Sequence, residues 1–246
     1  MKLQGKVAVV TGGSRGLGRE MIRAFAAEGA NVVIASRKIE QCAELAEAVR
    51  TEFGVEAMPV ACNVGSWEHC DELAERVHSE FGQADVLVNN AGMSPLYPSI
   101  DAVSEALFDK VMAVNLKGPF RLGALLGTRM AAGRGGAIIN IGSVEAVHPR
   151  AHALPYAAAK AGLNNLTKGL AQALGPTVRV NAIQCGPFLT DIAANWEPEM
   201  QEKFEQDLAL RRSGRPEEIV GAALFFATDA SSYATGSILE LDGGRP

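Results

Sequence analysis

The sequence lacks paired cysteines, a long hydrophobic run and an excess of basic residues, and each absence excludes a class of protein. Its four cysteines form no C-x-x-C pair, which argues against a disulfide framework and favours a reducing, cytoplasmic environment. The apolar run 219–227 is about half of the ~18 residues that a membrane-spanning helix needs, and the early run 7–10 is too short for a secretory leader. Lysine and arginine number 23 against 28 acidic residues, so we expect neither nucleic acid nor a membrane as a partner.

The chain does have the length and apolar content for one large core. It has 246 residues, of which 48% are hydrophobic, and no repeat or linker divides it. Because α/β folds of this length routinely form a single core, we predict one domain over residues 1–246.

Short β-branched runs alternate with longer amphipathic stretches along the chain. Strands are predicted at 6–10, 31–35, 56–62, 85–88, 137–141, 178–183 and 237–241. Helices are predicted at 17–28, 39–53, 67–81, 103–130, 155–174 and 216–228, several of them closed by Gly29, Gly54, Gly82 and Gly175. This alternation predicts an α/β fold, a Rossmann-type, doubly wound parallel sheet of seven strands flanked by helices. Polar or glycine-rich segments follow six of the strands, so we expect them to line one ligand crevice at the carboxyl ends of the strands.

A glycine-rich loop joins the first predicted strand to the first helix. Residues 11–18 read T-G-G-S-R-G-L-G, and the backbone N–H groups at the start of such a helix can hold a pyrophosphate. A tight strand-to-helix turn would use the same glycines, so the loop alone leaves that alternative open. The predicted nucleotide contacts in this loop are Gly12, Ser14, Arg15, Gly16, Leu17 and Gly18.

The segment Ser36-Arg37-Lys38, after the second strand, bears on the choice of nicotinamide cofactor. An NAD-specific site places an acid there to bind the ribose 2′-hydroxyl, and this segment has none. Arg37 can instead pair with a 2′-phosphate, and Arg15 can approach the same group from the glycine loop. We therefore predict NADP(H) as the cofactor in preference to NAD(H), against the alternative of two solvated surface arginines.

Tyr156 and Lys160 stand one turn apart on the same face of a predicted helix. A lysine ammonium beside a phenol stabilises the phenolate, so we expect a lowered pKa for Tyr156, which makes it a candidate proton donor. Pairs with this spacing are frequent, so a tyrosine packed beside a surface lysine is the alternative. Ser143, at the end of the fifth strand, would add a hydroxyl facing the same crevice.

Taken in order, these motifs resemble the classical short-chain dehydrogenase/reductase family, and the resemblance covers residues 5–244. The matching elements are T-G-x-x-x-G-x-G at 11–18, N-N-A-G at 89–92, Asn115 in V-N-L, Ser143, Y-x-x-x-K at 156–160, and Asn181 before the turn 186–190.

The resemblance implies a role for each of four catalytic residues. Tyr156 would exchange a proton with the substrate oxygen, and Ser143 would orient and polarise that oxygen. Lys160 would hold the nicotinamide ribose. Asn115, at a break in the helix 103–130, would hold a water that relays protons. The alternative for Asn115 is a polar side chain with a purely structural place in the helix. The further cofactor contacts implied are Asn63, Val64, Asn90, Ala91, Gly92, Tyr156, Lys160, Gly186, Phe188 and Thr190.

Two positions depart from the family's usual pattern. Asn63 stands where an aspartate commonly contacts the adenine, and its amide can both accept and donate a hydrogen bond there. Cys185 stands where the family usually has a proline before Gly186. We interpret Cys185 as a small buried thiol, with a reactive role as the alternative.

The residues that would contact the substrate do not identify it. The segment 191–214 resembles the family's variable substrate lid, with apolar residues at Trp196, Met200, Phe204, Leu208 and Leu210. A second segment follows Ser143 and would either meet a polar substrate or, as is more usual for a loop of mixed charge, be solvated: Glu145, His148, Arg150 and His152. The candidate substrates are a sugar or polyol, a ketoacyl thioester on a carrier protein, a steroid, or a small xenobiotic ketone.

Three functions are compatible with these motifs. The first is NADP(H)-linked interconversion of a small-molecule ketone and secondary alcohol. The second is reduction of a β-ketoacyl carrier protein, which calls for a basic docking patch that Arg121, Arg129 and Arg134 are too scattered to predict. The third is a non-catalytic nucleotide-sensing regulator, which the intact catalytic residues argue against. We also expect no metal. We expect a homo-oligomer, a tetramer as in many relatives, whose helices pack through the small residues 157–159, 161 and 162.

Overall fold

The structure is a computed structural model that describes residues 1–190, 199, 202 and 205–245. All seven predicted strands are present and pair in parallel in one sheet, in the order β3-β2-β1-β4-β5-β6-β7. The strands are β1 (Val7–Thr11), β2 (Asn31–Ser36), β3 (Ala57–Ala61), β4 (Val86–Asn89), β5 (Gly136–Ser143), β6 (Val178–Cys185) and β7 (Ile238–Leu241). The strand order reverses between β1 and β4, which is where a doubly wound sheet opens a ligand crevice.

Strands β5 and β6 run further than the sequence pattern predicted. They pair along their whole length, and the register ends with Ser143 opposite Cys185. The predicted ends at 141 and 183 were wrong because the last residues of both strands, Gly142-Ser143 and Gln184-Cys185, do not continue the β-branched pattern. Backbone pairing, which the pattern does not show, extends both strands toward the crevice.

Helices connect the strands on both faces of the sheet. They are α1 (Gly16–Ala27), α2 (Ile39–Phe53), α3 (Trp67–Phe81), α4 (Glu105–Met112), α5 (Gly118–Ala132), α6 (Leu154–Leu174) and α7 (Val220–Ala227). The bounds predicted for α2 and α3 are confirmed. Each of these two helices ends at a glycine with a positive φ, +67° at Gly54 and +75° at Gly82.

Two predicted helices need correction. The stretch predicted as one helix over 103–130 begins only at Glu105, because Ser104 caps it by accepting a hydrogen bond from the N–H of Leu107 at 3.2 Å. A π-helical turn, Ala113–Lys117, then separates α4 from α5. The last predicted helix, 216–228, is a 3₁₀ turn over Pro216–Ile219 followed by α7.

Two apolar layers cover the sheet. One contains Met21, Ile22 and Phe25 of α1, packed with residues of α2 and α7. The other contains residues of α3, α5 and α6, among them Leu122 and Leu170. Because both faces of the sheet are buried, the strands are almost continuously apolar, as expected for a parallel sheet. The two layers fix the strand ends, and therefore the loops that follow them.

No helix among the described residues has both the length and the apolar content to cross a membrane. The described residues also contain no group of three or more His, Cys, Asp or Glu side chains that could hold a metal ion.

Candidate active site

A cavity of about 1160 Å³ lies at the carboxyl ends of the strands. Residues from the segments after all six strands β1 to β6 line it, so the predicted crevice is present. It brings together every predicted site residue except Gly18 and Asn115, which lie behind its wall. The roles predicted for these residues stay predictions.

The glycine loop after β1 is shaped by close packing as well as by backbone conformation. Gly12 and Gly16 have positive φ angles of +62° and +52°, which favour glycine. A Cβ added at Gly18 would lie 2.2 Å from the carbonyl oxygen of Gly12, so that glycine serves packing within the loop. Gly12 and Gly16 line the cavity with their backbone.

The N-terminus of α1 differs from two other helix starts in the described part of the chain. Ser66 and Ser104 cap α3 and α4 with their side chains, whereas the N-cap of α1 is Arg15, whose side chain makes no capping hydrogen bond. The first N–H groups of α1 therefore have no side-chain cap, and Gly16 and Leu17 of its first turn line the cavity. This is the arrangement that holds a phosphate or pyrophosphate at a helix start.

Asn90 fastens the loop after β4 to the loop after β1. Its Nδ2 donates to the carbonyl oxygens of Thr11 at 2.8 Å and Gly12 at 3.2 Å. The Thr11 hydroxyl in turn accepts from the backbone N–H groups of Asn90 at 3.0 Å and Ala91 at 3.1 Å. These four bonds place Ala91 and Gly92 along the cavity.

The end of β2 carries hydroxyl and guanidinium groups. The Ser14 hydroxyl donates to the Ser36 hydroxyl at 3.1 Å, and both residues line the cavity. Arg15 and Arg37 are exposed side chains at the same edge. The acidic residues that line the cavity, within the described part of the chain, are Asp109 and Glu145, and neither follows β2. This edge therefore offers donors and positive charge rather than a carboxylate.

Asn63, which follows β3, forms a local turn at the cavity. Its Oδ1 accepts from the N–H of Gly65 at 3.2 Å, and its own N–H donates to Nδ1 of His69 at 3.3 Å. The side chain is exposed. Its Nδ2 can still donate a hydrogen bond to an adenine, as expected for an amide in this position.

Ser143, Tyr156 and Lys160 meet at the centre of the cavity. The Ser143 oxygen accepts from the N–H of Glu145 at 3.2 Å, and the Ser143 hydroxyl shares a hydrogen bond with Tyr156. Nζ of Lys160 lies 5.6 Å from the centre of the Tyr156 ring and donates to the carbonyl oxygen of Ile141 at 2.7 Å. The structure thus brings together two hydroxyl groups and one buried ammonium.

The pKa of Tyr156 shifts opposite to the predicted direction. Burial raises the pKa of Tyr156 to about 12, and the hydrogen bond with Ser143 lowers it only in part. Lys160 is itself buried, which lowers the pKa of its ammonium to about 8. The expected lowering of the phenol pKa by Lys160 is therefore not found, because the loss of water around the phenolate outweighs the other effects.

Asn115 lies in the π-helical turn and is fully buried. Its Nδ2 donates to the carbonyl oxygens of Met93 and Val111, each at 2.9 Å, and its Oδ1 accepts from the N–H of Met93 at 3.2 Å. The side chain therefore holds the Met93 segment against the helix. Its predicted part in holding a water stays a prediction.

Cys185 ends β6 and is buried. Burial raises the pKa of this thiol to about 12, and the nearby Lys160 lowers it only in part. A thiol with a raised pKa is a poor nucleophile, so the structure agrees with the buried-thiol interpretation.

The segment after Ser143 is where reasoning from sequence missed functional residues. Glu145, interpreted as part of a solvated loop, is buried, and it lines the cavity with Arg150 and His152. His148 is exposed and does not line the cavity. A possible signal was the position of Glu145 two residues after Ser143, immediately beyond a buried strand end.

The predicted lid, 191–214, is only partly described. Trp196, Met200 and Phe204 lie outside the described residues. Leu208 is buried, and the backbone N–H of Leu210 donates to the carbonyl oxygen of Gly243 at 3.0 Å. This end of the segment therefore packs against the C-terminal residues.

The chain is similar in sequence and fold to known proteins over nearly its whole length. A family model described as Enoyl-(Acyl carrier protein) reductase matches residues 12–245. The 3-oxoacyl-(acyl-carrier-protein) reductase FabG of Aquifex aeolicus is 34% identical, over 99% of this chain and 98% of the relative. A short-chain dehydrogenase/reductase from Serratia marcescens has a TM-score of 0.93 and 34% identity, covering 99% of both chains. L-sorbose reductase from Gluconobacter frateurii, complexed with NADPH and L-sorbose, has a TM-score of 0.92 and 32% identity, covering 99% of this chain and 98% of that one.

Proposed function

The chain belongs to the short-chain dehydrogenase/reductase family, and on that premise we propose that it is an NADP(H)-dependent oxidoreductase interconverting a ketone and a secondary alcohol. The observation that carries the proposal is the meeting of Ser143, Tyr156 and Lys160 in the cavity that the glycine loop also lines. A proton donor, a second hydroxyl and a buried cation at one point are the groups that carbonyl reduction needs from a protein.

The residues around the cavity fit a dinucleotide with a 2′-phosphate. The start of α1 offers N–H groups to a pyrophosphate, and Asn63 offers an amide to an adenine. Ser36, Arg37 and Arg15 offer a hydroxyl and two guanidinium groups where an NAD-binding chain would carry an acid. L-sorbose reductase, the relative solved with NADPH, supports the same assignment by similarity.

The chain's own residues handle the proton. A bound nicotinamide supplies the hydride in reduction and accepts it in oxidation. Tyr156 gives its phenolic proton to the substrate oxygen as the carbonyl carbon becomes tetrahedral, and takes it back in the reverse reaction. The Ser143 hydroxyl shares a hydrogen bond with Tyr156, so a substrate oxygen that replaces this contact can accept from both hydroxyl groups.

Lys160 lines the cavity beside Tyr156. Its Nζ lies 5.6 Å from the centre of the Tyr156 ring and donates to the carbonyl oxygen of Ile141, so it is placed to bind the ribose of a nicotinamide next to the phenol. The raised pKa of Tyr156 keeps the phenol protonated at neutral pH, which suits a proton donor in the direction of reduction.

Reduction of a β-ketoacyl carrier protein is the second candidate, and the similarity to FabG favours it. The three arginines considered for carrier docking do not support it, because each of them is paired with an acidic side chain. Arg121 binds Asp71 at 2.7 Å, and Arg129 binds Glu75. Arg134 lies 3.4 Å from Asp85. A nucleotide-sensing regulator would have no use for the assembled catalytic group.

A substrate panel tests the proposed function. The purified protein is assayed with NADPH and with NADH against small ketones, hydroxyketones and an acetoacetyl thioester, following loss of the reduced cofactor. We expect turnover with NADPH on a small ketone or hydroxyketone. Turnover confined to the thioester would establish the second candidate, and cofactor binding without turnover on any carbonyl would favour the regulator.

We also propose a homo-oligomer, although not through all the residues first predicted. Within the chain, Ala157 and Ala159 are buried, and a Cβ added at Gly162 would lie 3.0 Å from Leu116, so these three small residues pack internally. Two large apolar side chains, Phe108 and Phe120, are each 44% exposed. Phe120 borders an apolar surface pocket with Met112, Leu116 and Leu166, and contiguous apolar surface is typical of faces that associate.

A further inference from the structure

A buried ion pair forms part of the cavity wall beside the proposed catalytic group. The Glu145 side chain is only 4% exposed, and its Oε1 accepts from Nε of Arg150, whose side chain is 30% exposed. Its Oε2 accepts from the backbone N–H of Arg150 at 2.8 Å. Both residues line the cavity, and the backbone N–H of Glu145 holds the Ser143 oxygen. The pair is therefore tied to the residue proposed to contact the substrate oxygen.

The Glu145 carboxylate keeps capacity for further hydrogen bonds. An ionised carboxylate has about four acceptor sites on its two oxygens, and the two bonds from Arg150 use one on each oxygen. Each oxygen already has one partner, and a ligand that donates a hydrogen bond would use the acceptor capacity that remains. A hydroxyl group is a donor of suitable size.

Charge at this wall argues for a neutral ligand. The positive charge of Arg150 balances Glu145 within the pair, and the cavity-lining residues Ser94 and His152 add further polar groups. An ionised carboxylate on the substrate is an acceptor only, so it cannot form a hydrogen bond with Glu145. An apolar group there would cover the acceptor without bonding to it.

We propose that Glu145, held by Arg150, recognises a hydroxyl group close to the reacting carbonyl, so that the substrate class is the neutral hydroxyketones and ketoses, with polyols in the reverse direction. This inference rests on the proposed function, and it selects the sugar or polyol among the candidate substrates. Apolar side chains that line the same cavity, among them Met93 and Leu96, would contact the carbon skeleton. Glu145 is a specificity residue in this account and takes no proton.

Two pairs of isosteric ketones test the assignment. Hydroxyacetone is compared with butanone, and acetoin with methyl isopropyl ketone, so that each pair differs by a hydroxyl in place of a methyl group. The ratio of kcat/KM for the hydroxyketone to that for its isostere is measured in wild type and in variants. Comparing this ratio between proteins removes the difference in intrinsic reactivity of the two ketones.

The main variant is the double replacement Glu145→Leu with Arg150→Met. It removes both charges together. Exchanging a buried ion pair for apolar side chains often leaves the stability of the protein unchanged, whereas removing one partner leaves an unpaired buried charge that is strongly destabilising. We expect the ratio to fall about 10- to 100-fold, the value of one hydrogen bond to a charged acceptor, because only the hydroxyketone loses that bond. His148→Ala, an exposed position on the same segment, should leave the ratio unchanged.

Each outcome decides the matter. If the ratio stays the same in the folded double variant, including the case in which kcat/KM falls equally for both ketones of a pair, the ion pair is structural. That result would overturn this inference and leave the proposed function standing. If the double variant does not fold, Glu145→Gln keeps the size of the side chain and should lower the ratio about tenfold; an unchanged ratio there would overturn the inference. Failure of wild type to reduce any of the four ketones would overturn the proposed function with it.

Discussion

Replacing Arg37 by alanine should weaken NADPH binding and leave NADH binding nearly unchanged. Arg37 is an exposed side chain at the end of β2, next to Ser36, where the cavity would receive the 2′ position of an adenosine ribose. Only NADPH carries a phosphate there, so only NADPH loses a charge-assisted hydrogen bond when the guanidinium is removed.

The size of this effect follows from exposure. A hydrogen bond to a charged group contributes about 1.5–3 kcal/mol when shielded from water, whereas an exposed ion pair contributes about 0.2–1 kcal/mol. Arg37 is exposed but can bind a phosphate through two donors, so we expect about 1–2 kcal/mol, a loss of roughly 5- to 30-fold in affinity for NADPH. Arg15→Ala should have a smaller effect. Because the attraction is partly screened, the preference for NADPH should also shrink as salt rises.

Fluorescence titration with each cofactor measures this prediction directly. Wild type, Arg37→Ala and Arg15→Ala are compared with Arg76→Ala, which makes the same change in net charge at an exposed position on α3. We expect the Arg76 variant to bind both cofactors like wild type. Equal or tighter binding of NADH by wild type, or an equal loss for both cofactors in Arg37→Ala, would refute the reasoning.

Three further predictions concern Lys160, Asn115 and the assembly. Burial lowers the pKa of Lys160 from 10.5 to about 8, so between pH 8 and 10 the unfolded chain binds more protons than the folded chain. The free energy of unfolding should therefore rise with pH over this range by an amount on the order of 1–3 kcal/mol. A thermal-unfolding series in which the stability of Lys160→Met rises as much as that of wild type would contradict this. Asn115→Ala should lower the melting temperature by several degrees, because it leaves the backbone groups of Met93 without their side-chain partner; an unchanged calorimetric melting curve would count against that role. Light scattering at micromolar concentration should give the mass of an oligomer, a tetramer on our expectation, and a mass near 25.9 kDa would contradict it.

The fold could be predicted from the sequence because each of its main features has a local signal. Short β-branched runs marked all seven strands, and glycines after α2 and α3 marked their ends. Gly175 was less informative, because it ends α6 in an extended conformation with φ −63° and ψ 157°, as is usual for a residue before proline. Local pattern also placed the loops that line the cavity, since these follow directly from strand ends.

The site was predicted less completely, because some of its features depend on contacts distant in sequence. Arg150 lies only five residues after Glu145, but the sequence of charges does not show that Glu145 is buried by the fold, so the segment was interpreted as solvated. The pKa of Tyr156 was expected to follow its neighbour Lys160, yet it follows burial, which only the folded chain shows. The break at Asn115 was predicted, but its hydrogen bonds to Met93 were not.

The measurement that tests the central claim most directly is the turnover of Tyr156→Phe. This change removes the phenolic proton and little contact area, so NADPH affinity should stay within about threefold of wild type while kcat falls by at least about 100-fold. Tyr233→Phe, the same change at a fully exposed tyrosine, should keep wild-type turnover. Steady-state assays on a ketone that wild type reduces, together with cofactor titration, separate the two effects. Loss of turnover with retained binding is the result that the account predicts, and substantial turnover by Tyr156→Phe would contradict it.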